Sequence, residues 1–226
     1  MTKERLCLTL FIVSTAVGLS QSRSDGGLLP SVNLIHKSKG YAYNFRIESR
    51  QFVFNDPPSE RSTFTYDYGL TDISGLVSKK VDFDKAVALG YLFRWNGNAI
   101  EHRFIQQFIV TRKYTDFKLA HRITTDQTFS QIEAPIYRLR YRVATEFPLS
   151  GDNVDVNEFY FKLNHEYLNA VQGSQYDLEI RILPFIGYEI AAGSNIEIGI
   201  DYRVNSFLAK ETEHRFFLGI NWFKVL

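Results

Sequence analysis

Cysteine and methionine are almost missing from this chain of 226 residues, which holds one of each. The single cysteine, Cys7, lies close to the N-terminus, so no internal disulfide can form and the rest of the chain offers no thiol for catalysis or for a zinc site. An excess of one charge is also missing. Lys and Arg total 26 against 25 for Asp and Glu, a net charge of +1. That balance leaves no basic footprint for nucleic acid. Beyond the N-terminus no apolar run approaches the ~18 residues a membrane helix needs, and mean hydropathy is −0.18. Those absences exclude a polytopic helical membrane protein. Aromatic residues, by contrast, make up 15% of the chain, enough apolar surface to exclude a disordered one.

The N-terminus reads as a processing signal. Lys3, Glu4 and Arg5 precede the apolar run from Leu6 to Val13, and small residues follow from Ser14 to Gly18. A cationic start, a short apolar stretch and a small-residue end describe a secretory signal peptide, expected here over residues 1–20. Residues 21–40 are rich in Ser and Gly, show no sustained period and are expected to form an N-terminal tail. The remaining 41–226 are expected to form one domain.

From Tyr41 onward the dominant period is two. Apolar or aromatic residues alternate with arginine through Ile136–Val143, and Ile196, Ile198, Ile200 and Tyr202 alternate with Glu197, Gly199, Asp201 and Arg203. A helix would require apolar spacings of three and four, so these are strands. About ten are expected, near 41–54, 62–71, 81–95, 100–112, 116–127, 134–148, 157–169, 175–191, 195–207 and 212–224. Turn residues separate them, as at Asn55-Asp56-Pro57-Pro58, Asn96-Gly97-Asn98, Gly173-Ser174 and Gly193-Ser194-Asn195. A different reading of 70–85 changes the number to eight or twelve. Short connections predict an antiparallel meander.

Period two fits two opposite solids: a soluble sandwich or lipocalin-like barrel with its apolar face inward, or an outer-membrane barrel with that face toward lipid. Strands of about 10–15 residues exceed the usual five or six and match the ~9–11 a tilted membrane strand needs. Aromatics gather near strand ends, as membrane girdles do. The expected fold is therefore all-β: an up-and-down antiparallel transmembrane β-barrel in the bacterial outer membrane, reached by export. By parity its lumen carries 13 cations, among them Arg46, Arg50, Arg94, Arg103, Arg122, Arg138, Arg140, Arg142, Arg181, Arg203 and Arg215, against 11 acids such as Glu48, Asp126, Glu166, Glu179 and Asp201. Both signs on one face can pair across strands, which offsets the cost of removing charge from water.

Two local features bear on chemistry. Arg138, Arg140 and Arg142 form a lumenal ladder able to contact phosphate or carboxylate solutes, unless acids such as Asp126, Glu158 or Glu166 neutralise it. The tetrapeptide Glu-His-Arg-Phe occurs at 101–104 and again at 213–216. Parity turns Glu101, Arg103, Glu213 and Arg215 to the lumen, and with both chain ends at one rim both copies meet at the other. They are read either as a mouth site for a polar ligand or as register-fixing ion pairs. An enzyme needs a His activated by a carboxylate beside a nucleophile. The five histidines are scattered, with no Gly-x-Ser-x-Gly or His-Glu-x-x-His. No catalytic residue, metal ligand or cofactor is expected.

The stretch Gly90–Phe223 resembles a family of bacterial outer-membrane proteins called domain of unknown function 2490. The resemblance is carried by Gly90-Tyr91, Glu101-His102-Arg103, His121-Arg122, Tyr137–Arg142, Arg181 with Gly187-Tyr188, Gly199–Arg203 and His214-Arg215, closing on Gly219–Phe223. It implies an exported envelope barrel whose partners are outer-membrane lipids and the barrel-assembly machinery. It carries no catalytic residue and no ligand. The terminal aromatic that such barrels present to that machinery is here Phe223, followed by Lys224-Val225-Leu226. The expected function is a non-enzymatic outer-membrane barrel, structural or porin-like with limited solute or anion passage. The rival readings are an outer-membrane hydrolase and a soluble exported lipocalin-like binding protein. With the apolar face turned to lipid, Ile200→Arg is expected to be costly and the lumen-facing Gly199→Ser mild.

Overall fold

The computed structural model describes residues 23–56, 63–97 and 99–226. The expected signal peptide and parts of the turns at 55–58 and 96–98 lie outside them. Among the described residues every regular element is a strand: β1 (Arg23–Ser38), β2 (Tyr41–Asp56), β3 (Thr63–Lys80), β4 (Lys85–Trp95), β5 (Ile100–Lys113), β6 (Lys118–Ser130), β7 (Ile136–Pro148), β8 (Phe159–Gln172), β9 (Gln175–Ala191), β10 (Ser194–Asn205) and β11 (Glu213–Val225). They close into one barrel in which each strand pairs with its sequence neighbours and β1 joins β11.

The ten strands expected after Tyr41 correspond one to one to β2–β11. The stretch 70–85 resolves into the end of β3, a turn at 81–84 and the start of β4. The error lies before Tyr41. Residues 23–38, read as a tail, form β1, so the strands number eleven rather than ten and the count is odd. The reason is physical. β1 contains Gly26-Gly27 and Pro30, and its apolar residues come in adjacent pairs (Leu28-Leu29, Leu34-Ile35), so it shows no alternation. Gly27 is needed because a Cβ there would sit 1.8 Å from the Gln51 carbonyl oxygen. A glycine at such a close backbone approach looks like a loop residue in sequence.

An odd count has a topological consequence. β1 runs parallel to β11, Arg23 opposite Glu213 and Ile35 opposite Val225, while every other pair is antiparallel. The start of β1 and the C-terminal end of β11 therefore lie at opposite rims. This corrects the expectation that both chain ends share one rim. The β1–β2 connection is the pair Lys39-Gly40 with φ of 49° and 81°, the twist that suits a two-residue hairpin.

Strand tilt follows from the register. From Val32 the cross-strand partners run through Ile47, Ile73, Phe93 and His102 to Phe129, near the end of β6. In the other direction they run through Trp222, Ile196 and Tyr188 to Phe159, the first residue of β8. One hydrogen-bonded row thus passes from rim to rim, as closure of a barrel demands.

The faces are inverted relative to a globular core. Ile200 is 50% exposed, whereas its neighbour Asp201 is 4%. The outer surface holds Ile47, Ile73, Leu89, Ile182, Ile198 and Leu218, all exposed, while Asp72, Asp126, Glu166, Glu197 and Arg203 are buried inside. Parity assigned Ile200 to the outside and Asp126, Glu166, Glu197, Asp201 and Arg203 to the inside correctly; Asp67, also read as lumenal, is exposed, because register shifts interrupt the alternation where β3 pairs with β2. Part of the lumen is filled by rings from one wall. Phe217 (β11), Phe185 (β9) and Tyr160 (β8) are buried, and glycines on nearby strands receive the last two. A Cβ at Gly187 would lie 2.0 Å from the Tyr160 ring, and one at Gly199 would lie 2.1 Å from the Pro184 carbonyl and 2.7 Å from the Phe185 ring. Gly199 is thus not a permissive lumenal position, and Gly199→Ser is not the mild change expected, because the backbone and a ring occupy the space.

Candidate functional site

The polar part of the lumen is built on β3–β10, where each strand contributes one inward residue in two. Asp126 on β6 is its centre. It is 1% exposed and accepts hydrogen bonds from Arg138 Nη1 at 2.9 Å and Arg140 Nη2 at 2.7 Å. Arg103 Nε lies 3.4 Å away and donates to Thr128 Oγ1 at 2.8 Å. One carboxylate therefore serves three guanidiniums. Such a group tolerates burial because its lone pairs are satisfied by charged donors.

Glu166 on β8 is the second anchor. It accepts from Arg142 Nε at 2.8 Å and lies 3.3 Å from Arg181 Nη1. Arg181 also donates to Glu179 at 2.5 Å. Asp201 binds Arg203 through two parallel bonds of 2.7 and 2.8 Å, and Asp72 holds Arg94 likewise at 2.7 Å each. The ladder residues Arg138, Arg140 and Arg142 are thus brought together and largely neutralised, by Asp126 and Glu166 as their neighbours. Glu158 does not take part: it precedes β8, where its carboxylate accepts from the Asp155 backbone N–H at 3.0 Å.

Both Glu-His-Arg-Phe copies stand at the same rim, since β5 and β11 start there, but they do not form one site. Glu101 lies 3.7 Å from Arg94, and Arg103 points to Asp126. Arg215 donates to Glu213 at 2.9 Å and lies 3.7 Å from Asp25 on β1. No bond links one copy to the other among the described residues. Asp25 is a partner that sequence reasoning could not find, because the segment that carries it was read as a tail.

Register exposes a feature that parity alone conceals. Arg122 pairs with Arg142, Arg142 with Glu166, Glu166 with Arg181, Arg181 with Arg203, Arg203 with Arg215, and Arg215 with Asp25. This single row holds five arginines and two acids. Like charges directly opposite each other repel, so each arginine needs an acid beside it. Arg142 has Glu166 within the row, and Arg181, Arg203 and Arg215 have Glu179, Asp201 and Glu213 from outside it. Arg122 has none among the described residues. Arg50 on β2 also lacks an ion pair there, and its guanidinium lies 5.3 Å from the Phe217 ring, as does that of Arg203. A cation on a ring is a favourable contact, but it leaves the charge in place.

Among the described residues no group of three or more His, Cys, Asp or Glu could hold a metal. His102, His121 and His214 sit on the outer face against Tyr91, Tyr141 and Tyr202, away from the lumenal acids.

This geometry, a closed barrel with an arginine-rich interior, agrees with the family to which the chain belongs. A model described as "Protein of unknown function (DUF2490)" matches residues 39–215, so the chain is a member of that family. No curated protein matches. Among solved structures the chain is similar to the siderophore receptor PirA from Pseudomonas aeruginosa, at 14% identity and a TM-score of 0.33, over 75% of this chain. The chain spans only 32% of that receptor's length.

Proposed function

We propose that this protein is an integral outer-membrane β-barrel without enzymatic activity, whose ion-paired lumen admits small solutes only through a restricted path. The observation that carries the reading is the inversion of faces. Aliphatic residues such as Ile198, Ile200 and Leu89 stand exposed on the outside, while Asp126, Glu166 and Asp201 are buried within. In water an apolar surface of that extent is a liability; against acyl chains it is the solvent-facing surface the barrel needs. Strands of 11 to 18 residues reach across the apolar core when tilted. Eleven strands lie between the eight that side chains just fill and the sixteen or more of open channels, so restricted passage suits the size.

The test is extraction and electrophoresis. Cell envelopes are washed with plain buffer and then with detergent, and the detergent extract is run unheated and boiled. The reading requires detergent for release and a heat-dependent change in mobility. Release into plain buffer with no such change would replace it with the soluble lipocalin-like reading. Ile200→Arg sharpens the result: an arginine on the outer face near mid-height is expected to cost about 2–4 kcal/mol and to lower the heat-modifiable fraction.

A further inference from the structure

Around Asp126 and Glu166 the carboxylates of the β5–β9 wall are too few for the arginines beside them. There Asp126, Glu166 and Glu179 face Arg103, Arg122, Arg138, Arg140, Arg142 and Arg181, so three acids meet six guanidiniums, while Glu146 is held further along β7 by Lys118. The deficit is concentrated at Arg122. It stands directly opposite Arg142 in the register, and Arg142 already gives its Nε to Glu166. Arg140, two residues before Arg142 on β7, and Arg46, on inward parity of β2, add like charge near Arg122, and Glu166 opposes it. Arg46 gives its Nη2 to Glu48 and Arg140 gives its Nη2 to Asp126, but the buried Nε–H of each has no acceptor. An unmet donor on a buried guanidinium is costly, and an oxyanion can accept from several at once.

The space is also wet. The Arg46 side chain, on inward parity, keeps 41% of its surface exposed, and that of Arg142 keeps 23%. The Asp126 side chain nearby keeps 0%. Solvent therefore reaches the lumen beside Arg46 and Arg142 but not the ion-pair centre.

We infer that a small oxyanion, phosphate or carboxylate, binds in the lumen between Arg122, Arg140 and Arg142 on one wall and Arg46 on the other. This names the solute class for the passage proposed above and rests on that reading for its biological sense. Binding itself is measured separately. It also moves the anion contact away from the ladder as a whole: Arg138, whose Nη1 is turned to Asp126 and Thr128, is not part of it.

The experiment is calorimetric titration of inorganic phosphate, and in a second arm acetate, into the folded protein in a zwitterionic detergent, with chloride held at matched ionic strength. Saturable binding of either oxyanion by the native chain is expected. Arg122→Gln should weaken it at least tenfold, and Arg46→Gln should also weaken it. Arg112→Gln, an exposed cation at a rim, should leave it unchanged. Without oxyanion, Arg122→Gln should be at least as heat-resistant as the native chain, because it removes an unpaired cation. Absence of saturable binding overturns the inference, and so does equal affinity in native protein and Arg122→Gln. A barrel that shifts mobility on heating yet binds neither anion would refute the site alone. A chain that needs no detergent would refute the membrane reading.

Discussion

The same tetrapeptide, placed twice at one rim, meets two different fates. In both copies the histidine faces outward against a tyrosine, His102 with Tyr91 and His214 with Tyr202. In both the phenylalanine packs on that tyrosine, at 5.4 Å for Phe104 and 4.7 Å for Phe216. The inward residues diverge. Arg103 reaches the Asp126 centre and its side chain is 7% exposed. Arg215 stays with Glu213 and Asp25 near the parallel seam and is 26% exposed. Identical sequence thus dictates which side of the wall each residue faces. The neighbouring strand decides whether its charge is buried in a shared centre or held in a wet pair.

The contrast can be broken by substitution, most severely at the centre itself. Asp126→Ala leaves Arg103, Arg138 and Arg140 without their common acceptor and should cost about 3–5 kcal/mol, the scale of an uncompensated buried charge. Urea unfolding in detergent, followed by the mobility shift, would read this. Arg103→Ala is milder, about 1–3 kcal/mol, because Asp126 retains two partners. Arg215→Ala should cost less than about 1 kcal/mol, as expected of a solvated pair. Equal losses at the two arginines would show that the copies do not differ in environment. The smallest effect should be the one the copies share: Tyr91→Phe and Tyr202→Phe each remove one hydrogen bond to histidine on the outer face, worth about 0.5 kcal/mol, the low end for such bonds, and should match one another in the same assay.

Much of the architecture was legible because the information is local. Alternation through Ile136–Val143 and Ile196–Arg203 reports which residues share a face, and that suffices to place Arg138, Arg140, Arg142, Glu101 and Glu213 inside. Asp126 and Glu166 could be named as neighbours of the ladder for the same reason. What stayed hidden is non-local. Whether Arg122 faces an acid or Arg142 depends on the register between β6 and β7, which no single strand encodes. β1 was hidden by Gly26, Gly27 and Pro30, each of which reads as loop until the strand beside it is in place. Without β1, Asp25 has no position and Arg215 no second partner, and an even, fully antiparallel cylinder is the natural expectation.

The central claim is that the outer residues touch acyl chains while the inner ones do not. With Cys7 the only native cysteine, single cysteines can be placed one at a time at positions 196–201 of β10 in a Cys7→Ser background, labelled with an environment-sensitive fluorophore and reconstituted into vesicles containing brominated lipid. The account predicts quenching that alternates residue by residue, strong at 196, 198 and 200 and weak at 197 and 201. Uniform fluorescence insensitive to the brominated lipid, or alternation with the opposite phase, would contradict it.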